Sequence, residues 1–111
     1  SSNKGGVLML SIKVKPGVEF HTETLTRTEF WQMPFTAQMT APPGYQVTIT
    51  SGCEGLHHKN SLHYKGWAVD LRTRDLKKNF HQRWKRMIQA KLGSRYLVLL
   101  EPTHIHIQFN G

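Results

Sequence analysis

Between Asp75 and Leu92 the apolar residues Leu76, Phe80, Trp84, Met87, Ile88 and Leu92 recur at helical spacing, and Gly93 offers a stop just beyond them. Lys77, Lys78, Arg83, Lys85, Arg86 and Lys91 fill the positions between, with Arg95 just after. Such a helix can bury one stripe only, and its basic side reads as a solvated face. It therefore needs a partner layer. Five segments offer one: Val7 to Lys15 and Tyr45 to Thr50 alternate apolar and polar residues, and Trp67 to Arg72, Tyr96 to Leu100 and His104 to Phe109 read as further short strands. A period of two marks half-buried strands. Pro16-Gly17, Pro42-Pro43-Gly44 and Glu101-Pro102-Thr103 separate them as turns. Within residues 22–41, Phe30, Trp31, Met33, Phe35 and Met39 suit a helix face, but Pro34 falls inside it, so a helix is expected on one side of that proline. Adjacent strands with separate helices imply an α+β fold, a small antiparallel sheet with flanking helices.

The 111 residues suffice for one core and one domain over 1–111. A single cysteine, Cys53, leaves no intrachain disulfide to staple so small a fold, and a bound metal would substitute for one. Fifteen Lys and Arg against seven acids give a charge of +8, which favours anionic partners: nucleic acid, anionic lipid or the acidic polymers of a bacterial wall. No zinc-finger spacing or aromatic RNA-binding motif accompanies the charge, so no specific nucleic-acid partner is expected. No apolar run approaches the roughly 20 residues of a membrane helix, so no transmembrane segment is expected.

Ser51 to Lys65, rich in Gly, His and polar residues, reads as a long loop of the kind that is usually functional. At its end His63 precedes Asp70 by seven residues, with Asp70 on the next strand. Imidazole and carboxylate are both good zinc ligands. His104 and His106, two apart on a strand, point to one face, so one can ligate while the other reaches a substrate. Two histidines and a carboxylate leave a fourth position for water, the mark of a catalytic rather than a structural zinc site. Glu101, just upstream, suits a general base. Each residue alone has a plainer reading: a surface imidazole, a capping aspartate, a solvated turn carboxylate. Their coincidence is what points to a site. Cys53 near His57 also invites a nucleophile reading, but nothing in the sequence orients that pair.

Ser61-x-His63-x-x-Gly66-x-Ala68-x-Asp70 followed by His104-Ile105-His106 resembles the zinc D-Ala-D-Ala peptidases. These comprise carboxypeptidases, dipeptidases and phage endolysins that cut peptidoglycan stem peptides. The hedgehog signaling domains share that fold, and the likeness to them is locally closer, in Ser61-Leu62-His63-Tyr64, Gly66, Ala68-Val69-Asp70 and His104-Ile105-His106. It extends from about Tyr45 to Phe109. It implies a zinc ion held by His63, Asp70 and one histidine of the HxH pair. Matching HxH to HxH, the preferred alignment, makes His106 the ligand and His104 a neighbour that stabilises the transition state. Matching Glu101-Pro102-Thr103-His104 to the ExxH of the dipeptidases makes His104 the ligand. Glu101 is the base in both.

The chain also departs from the pattern. Many bacterial members follow a Thr-Ser-Gly strand end with Tyr and an Arg that helps hold substrate; here Thr50-Ser51-Gly52 is followed by Cys53 and Glu54. Anchoring of a substrate carboxylate must come from elsewhere, or specificity differs. The hedgehog calcium site needs a cluster of acids, and only Glu54 lies in that loop, so no calcium is expected. The hedgehog domains carry a histidine upstream of the motif, and His57-His58 occupies that region, so one of the pair, His57 by preference, is expected to face the zinc water; two solvated loop imidazoles are the alternative. The resemblance implies a monomeric zinc peptidase acting on peptidoglycan peptides at the bacterial cell wall, phage-encoded or secreted, with its basic surface drawn to the anionic wall. The alternative is a hedgehog-like zinc-containing binding module.

Overall fold

A computed structural model describes residues 12–54, 62–63 and 65–111. Its elements run β1 (Lys13–Val14), a 3-10 turn (Thr24–Thr26), α1 (Thr28–Thr40), β2 (Thr48–Ser51), β3 (Ala68–Arg72), α2 (Lys78–Leu92), β4 (Tyr96–Leu100) and β5 (His104–Phe109). The strands form one sheet in the order β1-β2-β3-β5-β4. The fold is α+β as expected, with one exception to its antiparallel character: β1 lies parallel to β2, Lys13 opposite Thr48. Parallel neighbours need a crossover, and the segment carrying α1 supplies it.

Alternation along the strands divides the sheet into two faces. Val69, Leu71, Val98, Ile105, Ile107 and Ile49 point inward and are almost wholly buried against Phe30, Met33 and Ala37 of α1 and Trp84 and Ile88 of α2. Trp84 is the largest buried side chain, and its indole N–H donates to the Ala37 carbonyl and the Thr40 hydroxyl, both at 3.1 Å. Two glutamines tie the helices to strand backbone. Gln38 of α1 accepts from Val47 N–H at 2.9 Å, and Gln89 of α2 accepts from Val98 N–H at 3.0 Å. The second contact occupies a donor on the edge strand β4, where unpaired groups would otherwise invite association.

Two helix expectations need correction. Helix α1 runs through Pro34 rather than stopping beside it. An interior proline costs about 3 kcal/mol through its missing N–H and ring clash. Burial of Phe30, Met33, Pro34 and Ala37 on one side offsets that cost, while Met39 turns out to solvent. Helix α2 begins at Lys78, three residues later than the pattern suggests. Leu76 N–H closes a turn onto the Thr73 carbonyl at 3.0 Å, and Lys77 has ψ of 135°, which is incompatible with helix. Gly93 ends α2 with φ of 85°, the left-handed backbone that favours glycine. Val7 to Ser11 of the first predicted strand lie outside the described residues.

Candidate metal centre

The outer face of the same strands carries the polar residues. Antiparallel register sets Asp70 on β3 opposite His106 on β5, and Arg72 opposite His104. Asp70 also faces Ser51 of β2, beside a bulge. His63 arrives from the turn before β3, where Trp67 N–H donates to the Leu62 carbonyl at 2.7 Å and Gly66 N–H to the His63 carbonyl at 3.0 Å. Gly66 has φ of 83°, and a Cβ there would lie 2.7 Å from the His21 ring. Its small size thus serves the turn and the passage of His21.

His63 Nε2, Asp70 Oδ1 and His106 Nδ1 converge, with separations of 2.9 Å, 3.1 Å and 3.1 Å around the triangle. Their surroundings decide what these atoms can do. His63 Nδ1 faces the Gly52 carbonyl at 2.9 Å and must donate to it, which leaves Nε2 a lone pair in the neutral ring. His106 Nε2 faces Gln108 Oε1 at 2.8 Å, while the Gln108 amide nitrogen donates to Asn110 Oδ1 at 2.7 Å. So His106 Nε2 also donates, and its Nδ1 keeps a lone pair. Three acceptor atoms then meet at one point, an arrangement that calls for a proton or a metal cation among them. Bonds of about 2.0–2.1 Å to a tetrahedral zinc place ligand atoms roughly 3.3 Å apart. The observed triangle is slightly tighter, within easy side-chain adjustment. His63, Asp70 and His106 can therefore hold a metal ion.

The charges agree with this reading. Burial pushes the Asp70 carboxyl up, but its hydrogen bonds with His106 and His63, made when a proton rather than a metal sits among the three atoms, and the charges of His63 and His104 outweigh burial and hold it well below the usual carboxylate range. Burial pushes the His106 imidazole down, but hydrogen bonds to Asp70 and Gln108 and the charges of Asp70 and Glu101 raise it above its ordinary value. Asp70 thus stays ionised across neutral pH, as a metal ligand must.

His104 stands apart from the triangle. Its Nε2 lies 3.7 Å from Asp70 Oδ2, and its Nδ1 meets the Thr103 hydroxyl at 3.0 Å. Of the two histidines left open by the sequence, His106 is the one the fold brings into the group. Glu101 is partly buried at the end of β4, its N–H bonded to the His104 carbonyl at 2.8 Å. Its charge reaches His106 electrostatically. His57 and His58 lie outside the described residues. Burial and the Glu19 charge push the Cys53 thiol up, so it is not poised as a nucleophile.

Three supporting residues were not anticipated. Glu54 Oε1 accepts from Gly52 N–H at 2.8 Å and Glu19 N–H at 3.0 Å, clamping the loop that presents the Gly52 carbonyl to His63. Gly52 itself admits no side chain, since a Cβ would collide with the Glu19 carbonyl oxygen. Gln108 continues the alternation of His104 and His106, so the period of two could have flagged it. No spacing rule could have flagged a backbone carbonyl.

No family model matches the chain. Over 66 residues it is 33% identical to the Indian hedgehog B protein of Danio rerio, a stretch covering 58% of this chain and 16% of that protein. The chain thus matches about a sixth of its relative's length, and over that stretch it is similar to a hedgehog protein while carrying a histidine–aspartate–histidine group able to hold a metal.

Proposed function

We propose that this chain is a zinc-dependent peptidase that hydrolyses amide bonds in peptidoglycan stem peptides. The observation that carries the reading is the convergence of three lone-pair atoms on the outer face of the sheet, with a third imidazole, His104, and a second carboxylate, Glu101, close by. His63, Asp70 and His106 would hold the ion. When bound, zinc supplies Lewis acidity toward a carbonyl and acidifies water toward neutrality. The chain supplies the rest. Glu101 takes the proton of the attacking water and returns it to the leaving amine. His104, oriented by Thr103, donates a hydrogen bond to the oxyanion that develops on the carbonyl. The exposed cations Lys78, Arg83, Arg86 and Lys91 of α2, with Lys77 just before it, draw the domain to an anionic wall.

The test is digestion of purified peptidoglycan by the zinc-loaded protein, with mass spectrometry of the released peptides. Glu101→Gln keeps shape and zinc but removes the base, and is expected to slow release by at least ~10²-fold. Equal rates would assign the base elsewhere. The similarity to a hedgehog protein favours a second reading, a zinc-containing binding module without hydrolysis. A parent protein that carries one zinc and releases no peptide would establish it over the first.

A further inference from the structure

Two clefts adjoin at Thr26, which lines both. The first, of about 870 Å³, is lined by Trp67 with Glu23, Arg27, Lys65 and threonine hydroxyls. The second, of about 360 Å³, is lined by Trp31 and Phe35 of α1 with Gln32 and Thr28. Both volumes fall in the range of ligand sites. The aromatic rings are fixed before any ligand arrives. Trp31 and Phe35, one helical turn apart, stack at 5.5 Å with 26° between their planes, and the Trp31 indole N–H donates to the Leu25 carbonyl at 2.7 Å. Trp67 leans on Phe109 at 5.0 Å, its N–H donates to the Leu62 carbonyl, and its carbonyl accepts from Phe109 N–H. All three rings are only half-buried. Rings held in this way lose little freedom on binding.

The charge of the lining selects the ligand. The chain carries +8, yet along these clefts Glu23 accompanies Arg27 and Lys65, and Arg27 also lies 3.6 Å from Glu29. So balanced a lining gives a polyanion little to hold, because that binding grows with the number of cations engaged. A groove for an amphipathic peptide helix needs an apolar floor. Here hydroxyls, an amide, a carboxylate and a guanidinium stand between the rings. Sugars fit such a lining: a pyranose offers a C–H face to an aromatic ring and hydroxyls at its rim. Glu23 and Arg27, both exposed, supply an acceptor and a donor for the N–H and C=O of an acetamido group.

We propose that the two clefts form one groove that binds an uncharged, unbranched glycan of acetamido sugars, with Trp67 against one pyranose and Trp31 and Phe35 against another further along. Trp67 packs against the core on the side of Val69 and Leu71, whereas Asp70 and His106 face the other side of the sheet. Groove and triangle are still joined by one turn, since Lys65 follows His63 by two residues and Gly66 N–H bonds the His63 carbonyl. The groove therefore anchors the domain to a polymer without filling the metal centre, and the inference does not rest on the zinc-peptidase reading.

The test is calorimetric titration of the protein as isolated with the hexamer of N-acetylglucosamine, an uncharged glycan that carries no peptide. Saturable binding is expected. Trp67→Ala and Phe35→Ala should each weaken it at least ~10-fold, the scale of one lost aromatic contact. Because Trp67 packs against the core, Glu23→Gln/Arg27→Gln, which changes two exposed residues and so has little bearing on the fold, provides an independent variant that should weaken binding similarly. Lys78→Gln/Arg83→Gln, on the basic helix, should leave the affinity unchanged. Dextran sulfate, titrated in parallel, reports attraction to a polyanion. No binding of the hexamer, binding of dextran sulfate alone, an affinity untouched by the groove variants, or one that follows the cations of α2 would overturn the proposal.

Discussion

The two faces of the sheet are built by the same strands and obey opposite rules. On the inner face, Ile105 and Ile107 meet Val69, Leu71 and Trp84, and among the described residues every buried side-chain nitrogen and oxygen has a hydrogen-bond partner. On the outer face, His104, His106 and Gln108 meet Asp70, and the hydrogen bonds that satisfy the ring nitrogens turn the remaining lone pairs toward each other. Leu97 and Leu99, on the same outer face, stay 37% and 39% exposed. The inner face is complete without a ligand. The outer face concentrates acceptors that only a cation reconciles. Stability and chemistry are thus separated by one residue of register.

The sharpest way to break that contrast is to remove a ligand. Asp70→Ala should abolish stoichiometric zinc, and with it any rise in melting temperature on zinc addition, while the metal-free domain still folds. Metal analysis and calorimetry check both halves. Retention of one zinc per chain would refute the triangle. On the inner face, Trp84→Ala should cost about 3–5 kcal/mol, because it deletes a fully buried indole and leaves a cavity. Denaturant titration reads the loss. The zinc affinity of the molecules that remain folded should stay close to the parent's.

A subtler change tests whether the acceptor network matters. Gln108→Leu removes the group that holds the His106 Nε2–H, and metal affinity should fall about 10–100-fold with stability little changed. Chelator competition measures it; an unaltered affinity would mean that the tautomer is set by something other than Gln108.

The smallest effect is expected from pH. The lowered Asp70 pKa adds stability above the ordinary carboxylate value, lost as pH falls through the folded value. The raised His106 pKa adds stability below the ordinary imidazole value, lost as pH rises through the folded value. In metal-free protein this network therefore contributes most between about pH 4 and pH 6.5. Zinc needs deprotonated imidazoles, so its stabilisation should instead grow from pH 5 to pH 8. Melting curves with and without zinc should diverge as pH rises; parallel curves would show that neither histidine binds the ion.

The helical stripe from Phe80 to Leu92, the strands Tyr96–Leu100 and His104–Phe109, and the grouping of His63 with Asp70 were legible in the sequence, because each rests on local residue pattern or on a motif ten residues long. Periodicity also made His104 and His106 equivalent, since a period of two sends both to one face. Only the register of β5 against β3 separated them, by setting His106 opposite Asp70. Long-range packing likewise carried α1 through Pro34, laid β1 parallel to β2, brought the Gly52 carbonyl to His63 and gathered Trp67 with Glu23 and Arg27 around one cleft. Local rules act over a few residues and were written in the chain itself. These other features join segments tens of residues apart, and the free energy that joins them comes from burying the inner face, whose geometry exists only once the sheet has formed.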